Sequence, residues 1–322
     1  MVRIIDDRFN TSEFLPFMNK CSDIAEITKT FQIANVQPYR DRVPVWQLLQ
    51  YHFRKRKVNH STFKNDNNVL VQGKDVTSAI LSEAIEYFCR AFYNFYAHDK
   101  LIENSYATWS GVTNYYSSFF SLHSLLRLQA RAITSIWRDR IFYVFPYDLE
   151  KHQYVISRRG VNRKTSHGAA WFLFYEVYDS FRYDSNPLFE HIFKKKHTGT
   201  VEEEIDFRTQ VNYEPYRGYD EIRESVLPSI IEEYENKRFV NEEIKTLSSL
   251  TTDPLYKYYA RSVLRIIFAY YLLKQVAEVN ADLKGLISNR KTSLSDFVKK
   301  ANVRKEKEAV CCKLIDLLEM KV

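Results

Sequence analysis

Tyr115-Tyr116-Ser117-Ser118-Phe119-Phe120-Ser121-Leu122-His123-Ser124-Leu125-Leu126 is the stretch on which the reading of the fold turns. Together with its upstream flank it sets Trp109, Val112, Tyr116, Phe119, His123 and Leu126 at alternating steps of three and four, one face of a helix from about Ile102 to Ala132. Gly111, Ser117, Ser118 and Ser121 stand between the large side chains and are small enough to let a neighbouring helix approach closely. Such a neighbour lies just upstream. From Asp75 to about Asp99, Ile80, Ala84, Tyr87, Phe88, Ala91, Phe92 and Phe95 recur at helical spacing. Only a few residues separate the two periodic stretches, so they are expected to form an antiparallel hairpin.

Upstream, residues 1–72 read as a mixed leader with a short helix around Val45 to Tyr51, then an exposed basic and Asn-rich loop from Arg54 to Asn68. Downstream the pattern changes. Ile141-Phe142-Tyr143-Val144-Phe145 and Tyr154-Val155-Ile156, separated by Pro146 and a polar turn, read as a β-hairpin inserted at about residues 138–159. Ala169 to about Phe181 is apolar and helical. Ile205, Phe207, Thr209, Val211 and Tyr213 alternate with polar neighbours, which by pattern alone is a half-exposed strand. Further helices are expected over about Asp220 to Phe239, Leu255 to Val279 and Glu308 to Met320. The organisation this implies is all-α: a leader at 1–72, a helical core at 73–240 carrying the hairpin, and a C-terminal helical extension at 241–322.

Composition agrees with a helical globule. The 322 residues are 45% hydrophobic and 27% charged, with 23 Tyr and 22 Phe against 7 Gly and 8 Pro. The net charge of +7 favours polyanion contact, and its local sources are Arg54-Lys55-Arg56-Lys57, Arg158-Arg159 with Arg163-Lys164, and Lys194-Lys195-Lys196. Cys21, Cys89, Cys311 and Cys312 have neither a paired framework nor metal-ligand spacing, which fits free thiols in a reducing cytoplasm. Met1 to Asn10 carries no apolar signal core, and no apolar run approaches the roughly 18 residues of a membrane span. A cytoplasmic protein without membrane contact is expected.

Three elements in order resemble the HEPN superfamily, in particular the minimal type of prokaryotic toxin-antitoxin and defence systems. Tyr115, Tyr116, Phe119, Leu125 and Leu126 match its second core helix. Lys164, Thr165, Ser166, His167 and Gly168 match the opening of its third, and Arg208-Thr209-Gln210-Val211-Asn212-Tyr213 matches the element leading into its fourth, Val replacing Ala. The resemblance covers about residues 75–240. It implies an all-α HEPN-like helical bundle acting in RNA-directed defence or toxin function, as a homodimer or in a complex with a nucleotidyltransferase-like or defence subunit. The sequence departs from the family where Phe120 stands in place of a frequent histidine, and in its long hairpin.

Nuclease members of that superfamily carry Arg followed four to six residues later by His and cleave RNA without metal. The chemistry is sound, because histidine titrates near neutrality and arginine is a fixed cation for a developing phosphorane. Here the nearest equivalent is Arg163 for transition-state charge and His167 for proton transfer, with Asn162 orienting the phosphate. The spacing is one residue short of the family's, although i and i+4 still share a helix face. Arg158, Arg159, Lys164 and Arg208 are the expected RNA contacts. The competing reading makes Arg163 and Lys164 solvated charges and His167 a packing or capping residue in a non-catalytic binding module. A third makes the basic residues beside His167 a phosphate contact of a regulatory nucleotide-binding protein. His123, on a packed face, is expected to be a hydrogen-bonded core histidine. With no P-loop, dinucleotide fingerprint, nucleophile elbow or clustered metal ligands in the sequence, neither cofactor nor metal is expected.

Overall fold

The computed structural model describes residues 3–10, 43–59, 61–63, 67–103, 106–137, 140–158, 166–178, 201–213, 254–281, 283–285 and 288. In chain order the elements are β1 (Arg3–Asn10), α1 (Val45–Lys55), β2 (Asn67–Gln72), α2 (Lys74–Glu103), α3 (Ala107–Leu128), β3 (Ala132–Trp137), β4 (Arg140–Asp148), β5 (Gln153–Ser157), α4 (Ser166–Tyr178), α5 (Val201–Tyr213) and α6 (Pro254–Val279). They fall into two compact units. The first gathers residues 1–87, 122–183 and 272–285, and the second 88–121, 184–271 and 286–322.

A five-stranded antiparallel sheet of order β1-β2-β5-β4-β3 lies in the first unit and overturns the all-α expectation. The β4–β5 pairing agrees with the two aromatic and β-branched runs in the sequence, setting Val144 opposite Ile156 and Phe145 opposite Val155. It is not an insertion into a helical bundle, because β5 continues into β2, where Val69 faces Ile156 and Val71 faces Tyr154. β2 comprises residues whose first two, Asn67 and Asn68, read as loop in the sequence. Its apolar run is only three residues long, and the strands on either side of it are remote in the chain. β1 joins the other edge of β2 through a register broken twice.

The packing explains the strands' composition. One face of the sheet sets Val69 and Val71, Phe142 and Val144, Tyr154 and Ile156 against Val45, Leu48, Leu49 and Phe53 of α1 and Val76, Ala79 and Ile80 of α2. On the opposite face Leu70, Tyr143, Phe145 and Val155 are buried as well, so the central strands read as nearly continuous apolar runs. Phe53, Phe63, Trp137 and Phe142 close the α1 end of this core with ring centroids 4.9 to 5.9 Å apart.

The small residues of α3 sit where a hairpin partner needs them. In the first unit the Ser124 hydroxyl donates to the Ala84 carbonyl at 2.8 Å, and in the second Ser117 donates to Ala91 at 2.9 Å. Trp109 departs from the expected packed face: it is 64% exposed.

α5 replaces the strand expected at 205–213. Among its described side chains the buried ones are Glu204 and Phe207, three apart, as on a helix. Phe207 stacks on Tyr258 of α6 with centroids 3.8 Å apart. Glu204 turns inward and accepts from Arg265 Nη2 at 2.8 Å and Arg261 Nη1 at 3.4 Å, while Arg265 Nη1 donates to the Ser118 hydroxyl. The alternation of apolar and polar residues misled because one of the polar residues, Glu204, is a core position.

Candidate functional site

The site grows from one turn of α3. Placing Leu122, Leu125 and Leu126 in the core turns His123 and Arg127, one helical turn apart, toward the inside of the first unit as well. Arg127 has only 2% of its side chain exposed, so its charge needs a partner. Glu83 of α2 supplies it, with Oε2 at 2.6 Å from Arg127 Nε. The other oxygen, Oε1, accepts the Val45 N–H at 2.7 Å. α1 begins after Pro44, which makes no side-chain cap, so Glu83 also satisfies an otherwise orphaned donor at that helix start.

The same guanidinium lies over the Tyr87 ring, 4.1 Å from its centroid, and Tyr87 in turn stacks on the His123 imidazole at 4.9 Å. Arg127 Nη1 donates to the His123 carbonyl and faces His123 Nδ1, both at 3.2 Å. An arginine nitrogen only donates, so Nδ1 must accept, and the neutral imidazole carries its proton on Nε2. Burial, then the charge of Arg127 and then that of His167, push the His123 pKa well below its ordinary value. His123 is therefore neutral at pH 7, a hydrogen-bonded core histidine.

His167 stands in the first turn of α4, half-buried, and is near enough to act electrostatically on His123. Behind it the helix is anchored by Ala169, Ala170, Trp171 and Phe174 in the core, and by the Tyr178 hydroxyl, which donates to the Leu125 carbonyl at 2.7 Å. The sequence-derived candidates separate into three groups. His167 and Arg158, which follows the end of β5, both belong to the first unit, whereas Arg208 lies on α5 in the second. Asn162, Arg163, Arg159 and Lys164 lie outside the described residues.

Glu83 and Arg127 were not legible as site residues, since a helical pattern assigns charges to the solvent face, and Tyr87 read only as packing. The usable signal was His123-x3-Arg127 on a face otherwise apolar. Among the described residues no group of three or more His, Cys, Asp or Glu side chains is placed to hold a metal ion. Nor, among them, is any helix long and apolar enough to cross a membrane. Compared with known proteins, the chain matches no family model, no curated protein and no solved structure.

Proposed function

We propose that the chain is a HEPN-like, RNA-directed protein of toxin or defence type that cleaves RNA without metal at the entrance of α4, working in the cytoplasm as a homodimer or beside a second subunit. The observation that supports this best is the pairing of a half-buried His167 at a helix start with a neutral His123 inside electrostatic reach. Histidine is the side chain suited to proton exchange near neutrality, and a neutral His123 puts no like charge beside His167. In this reading His167 exchanges a proton with the ribose 2′-hydroxyl or the 5′ leaving oxygen. Arg163 holds the phosphorane charge, Asn162 orients the phosphate, and Arg158, Arg159 and Lys164 hold flanking RNA, with Arg208 a separate RNA contact on its own unit. His123 acts through its charge state and packing, as a positioning residue.

The test is incubation of the purified protein with total RNA, with and without EDTA. Cleavage should persist in EDTA, leave 2′,3′-cyclic phosphate ends and spare DNA, which has no 2′-hydroxyl nucleophile. His167→Ala should lower the rate by about two to four orders of magnitude, and Arg163→Ala by a comparable factor. Folded variants that keep full activity would refute the assignment.

One observation favours a second reading, a non-catalytic binding module docked on a nucleotidyltransferase-like or defence subunit. The guanidinium beside His123 is committed to Glu83 and Tyr87 and does not reach outward. Stable co-purification of such a subunit, with no cleavage by the wild type, would select it.

A further inference from the structure

The outer arc of α1 and the turn that follows it serve neither the core nor the site at His167. At about 100° per residue, the side chains facing away from the core succeed one another around the helix as Trp46, Gln50, Arg54, Gln47, Tyr51 and Lys55. Gln50 is engaged with the Ile136 carbonyl of β3 at 3.0 Å. The two aromatics stand out on either side of Arg54, Trp46 41% exposed and Tyr51 52%. Arg54, Lys55, Arg56 and Lys57 are all exposed, and none of them forms an ion pair among the described residues. Lys55 instead sets its Nζ 4.5 Å from the Tyr51 ring centroid. Between Asp41 and Asp66 the chain has no acidic residue at all.

The cations are held on a fixed turn. Arg56 N–H donates to His52 at 3.1 Å and Val58 N–H to Phe53 at 2.9 Å, with Lys57 between them at φ 56°. That is the left-handed closure of a helix end, a place glycine takes more readily than lysine. Val58 is buried and pins the far side.

We infer that this face of α1 binds single-stranded nucleic acid, with bases stacked on Trp46 and Tyr51 and phosphates held by Arg54, Lys55, Arg56 and Lys57. Rings and cations interleaved on one surface are the combination that single strands need, since every base offers a π-face and every linkage a charge. The two rings are five residues apart, a rise of about 7.5 Å and a turn of about 140° around the helix, so a strand touching both crosses the Arg54 side chain between them. A lipid surface fits less well. An interfacial helix inserts a broad apolar face, and the apolar stripe here, Val45, Leu48, Leu49 and Phe53, is already in the core. An acidic peptide would answer the charges and leave both rings unused. A duplex hides the base faces that the rings would stack on.

The inference stands on α1 alone and does not rest on cleavage at His167. The test is therefore made with a ligand that cannot be cut: full-length protein titrated into labelled oligodeoxythymidylate, followed by fluorescence anisotropy at several salt concentrations. The wild type should bind this strand more tightly than a DNA duplex of equal length. Trp46→Ala with Tyr51→Ala should weaken binding about 30-fold or more and leave the salt dependence unchanged. Tyr51→Phe, which keeps a ring, should bind as the wild type. Arg54→Gln, Lys55→Gln and Arg56→Gln together should flatten the slope of log affinity against log salt by about two. All of these side chains are exposed, so thermal melting should be unaffected. Wild-type affinity in the double aromatic variant would overturn the inference, as would equal affinity for duplex, or displacement of the strand by phosphatidylserine vesicles.

Discussion

His98 is wholly buried, with Nδ1 2.9 Å from the Ser110 carbonyl and 2.6 Å from the Ser110 hydroxyl. Burial pushes its pKa down to about 4, opposed in part by the backbone hydrogen bond to Ser110. In the unfolded chain the same imidazole takes up a proton near 6.5. Between those values the unfolded state binds more protons, so stability is complete above about pH 6.5 and falls as the pH drops toward 4, by up to about 1.4 kcal/mol per pH unit. His123, also pushed down, contributes with the same sign. Urea midpoints of the wild type and His98→Gln, compared from neutral pH downward, check this: the variant's decline should be shallower, and parallel curves would contradict it. Residues of this kind were only half legible. A histidine on a packed face announces itself, as His123 did, but Arg127 did not, because nothing local in the sequence says that Glu83, 44 positions upstream, will meet it.

Among elements, the joint between α1, α2 and α3 depends on that glutamate. One oxygen holds the start of α1 and the other holds Arg127. Glu83→Ala removes both contacts and leaves a guanidinium with 2% of its side chain exposed without its counter-charge. The expected loss is about 3 to 5 kcal/mol in chemical denaturation. A loss under 1 kcal/mol would mean that Tyr87 and His123 suffice to hold Arg127. The α2–α3 hairpin was legible in the sequence because its apolar and small residues follow the helical period over many turns. β4 and β5 were legible because their aromatic and β-branched runs are dense and lie close together in the chain. β1 and β2 were not, since the strands that pair with β2 lie far away in the chain, and β3, although it pairs with the adjacent β4, is a short mixed run directly after α3. α5 was misread because an inward carboxylate counts as surface in any apolar pattern.

At the scale of the molecule, the order β1-β2-β5-β4-β3 carries a consequence for how the chain is made. β2 pairs with β5, about 80 residues downstream, while its other neighbour, β1, lies about 60 residues upstream. Until β5 has emerged from the ribosome, the described strands can form only two separate pairs, β1–β2 and β3–β4, each marginal in water, and the β1–β2 pair is bulged twice. At roughly 5 to 20 residues per second, β2 waits several seconds for the strand that completes it. The helices α2 and α3, with their contacts close in sequence, are made within that interval and are the natural first structure. A chain truncated after Ala130 contains all of α1, α2 and α3 yet lacks β3, β4 and β5. It should keep helical circular dichroism, lose protease resistance over residues 43–72 and aggregate through the uncovered faces of α1 and β2. A monomeric, protease-resistant fragment would show that the helices do not need the sheet. Nascent chains of this protein are therefore most exposed to chaperones and proteases in the window between the third helix and the last strand.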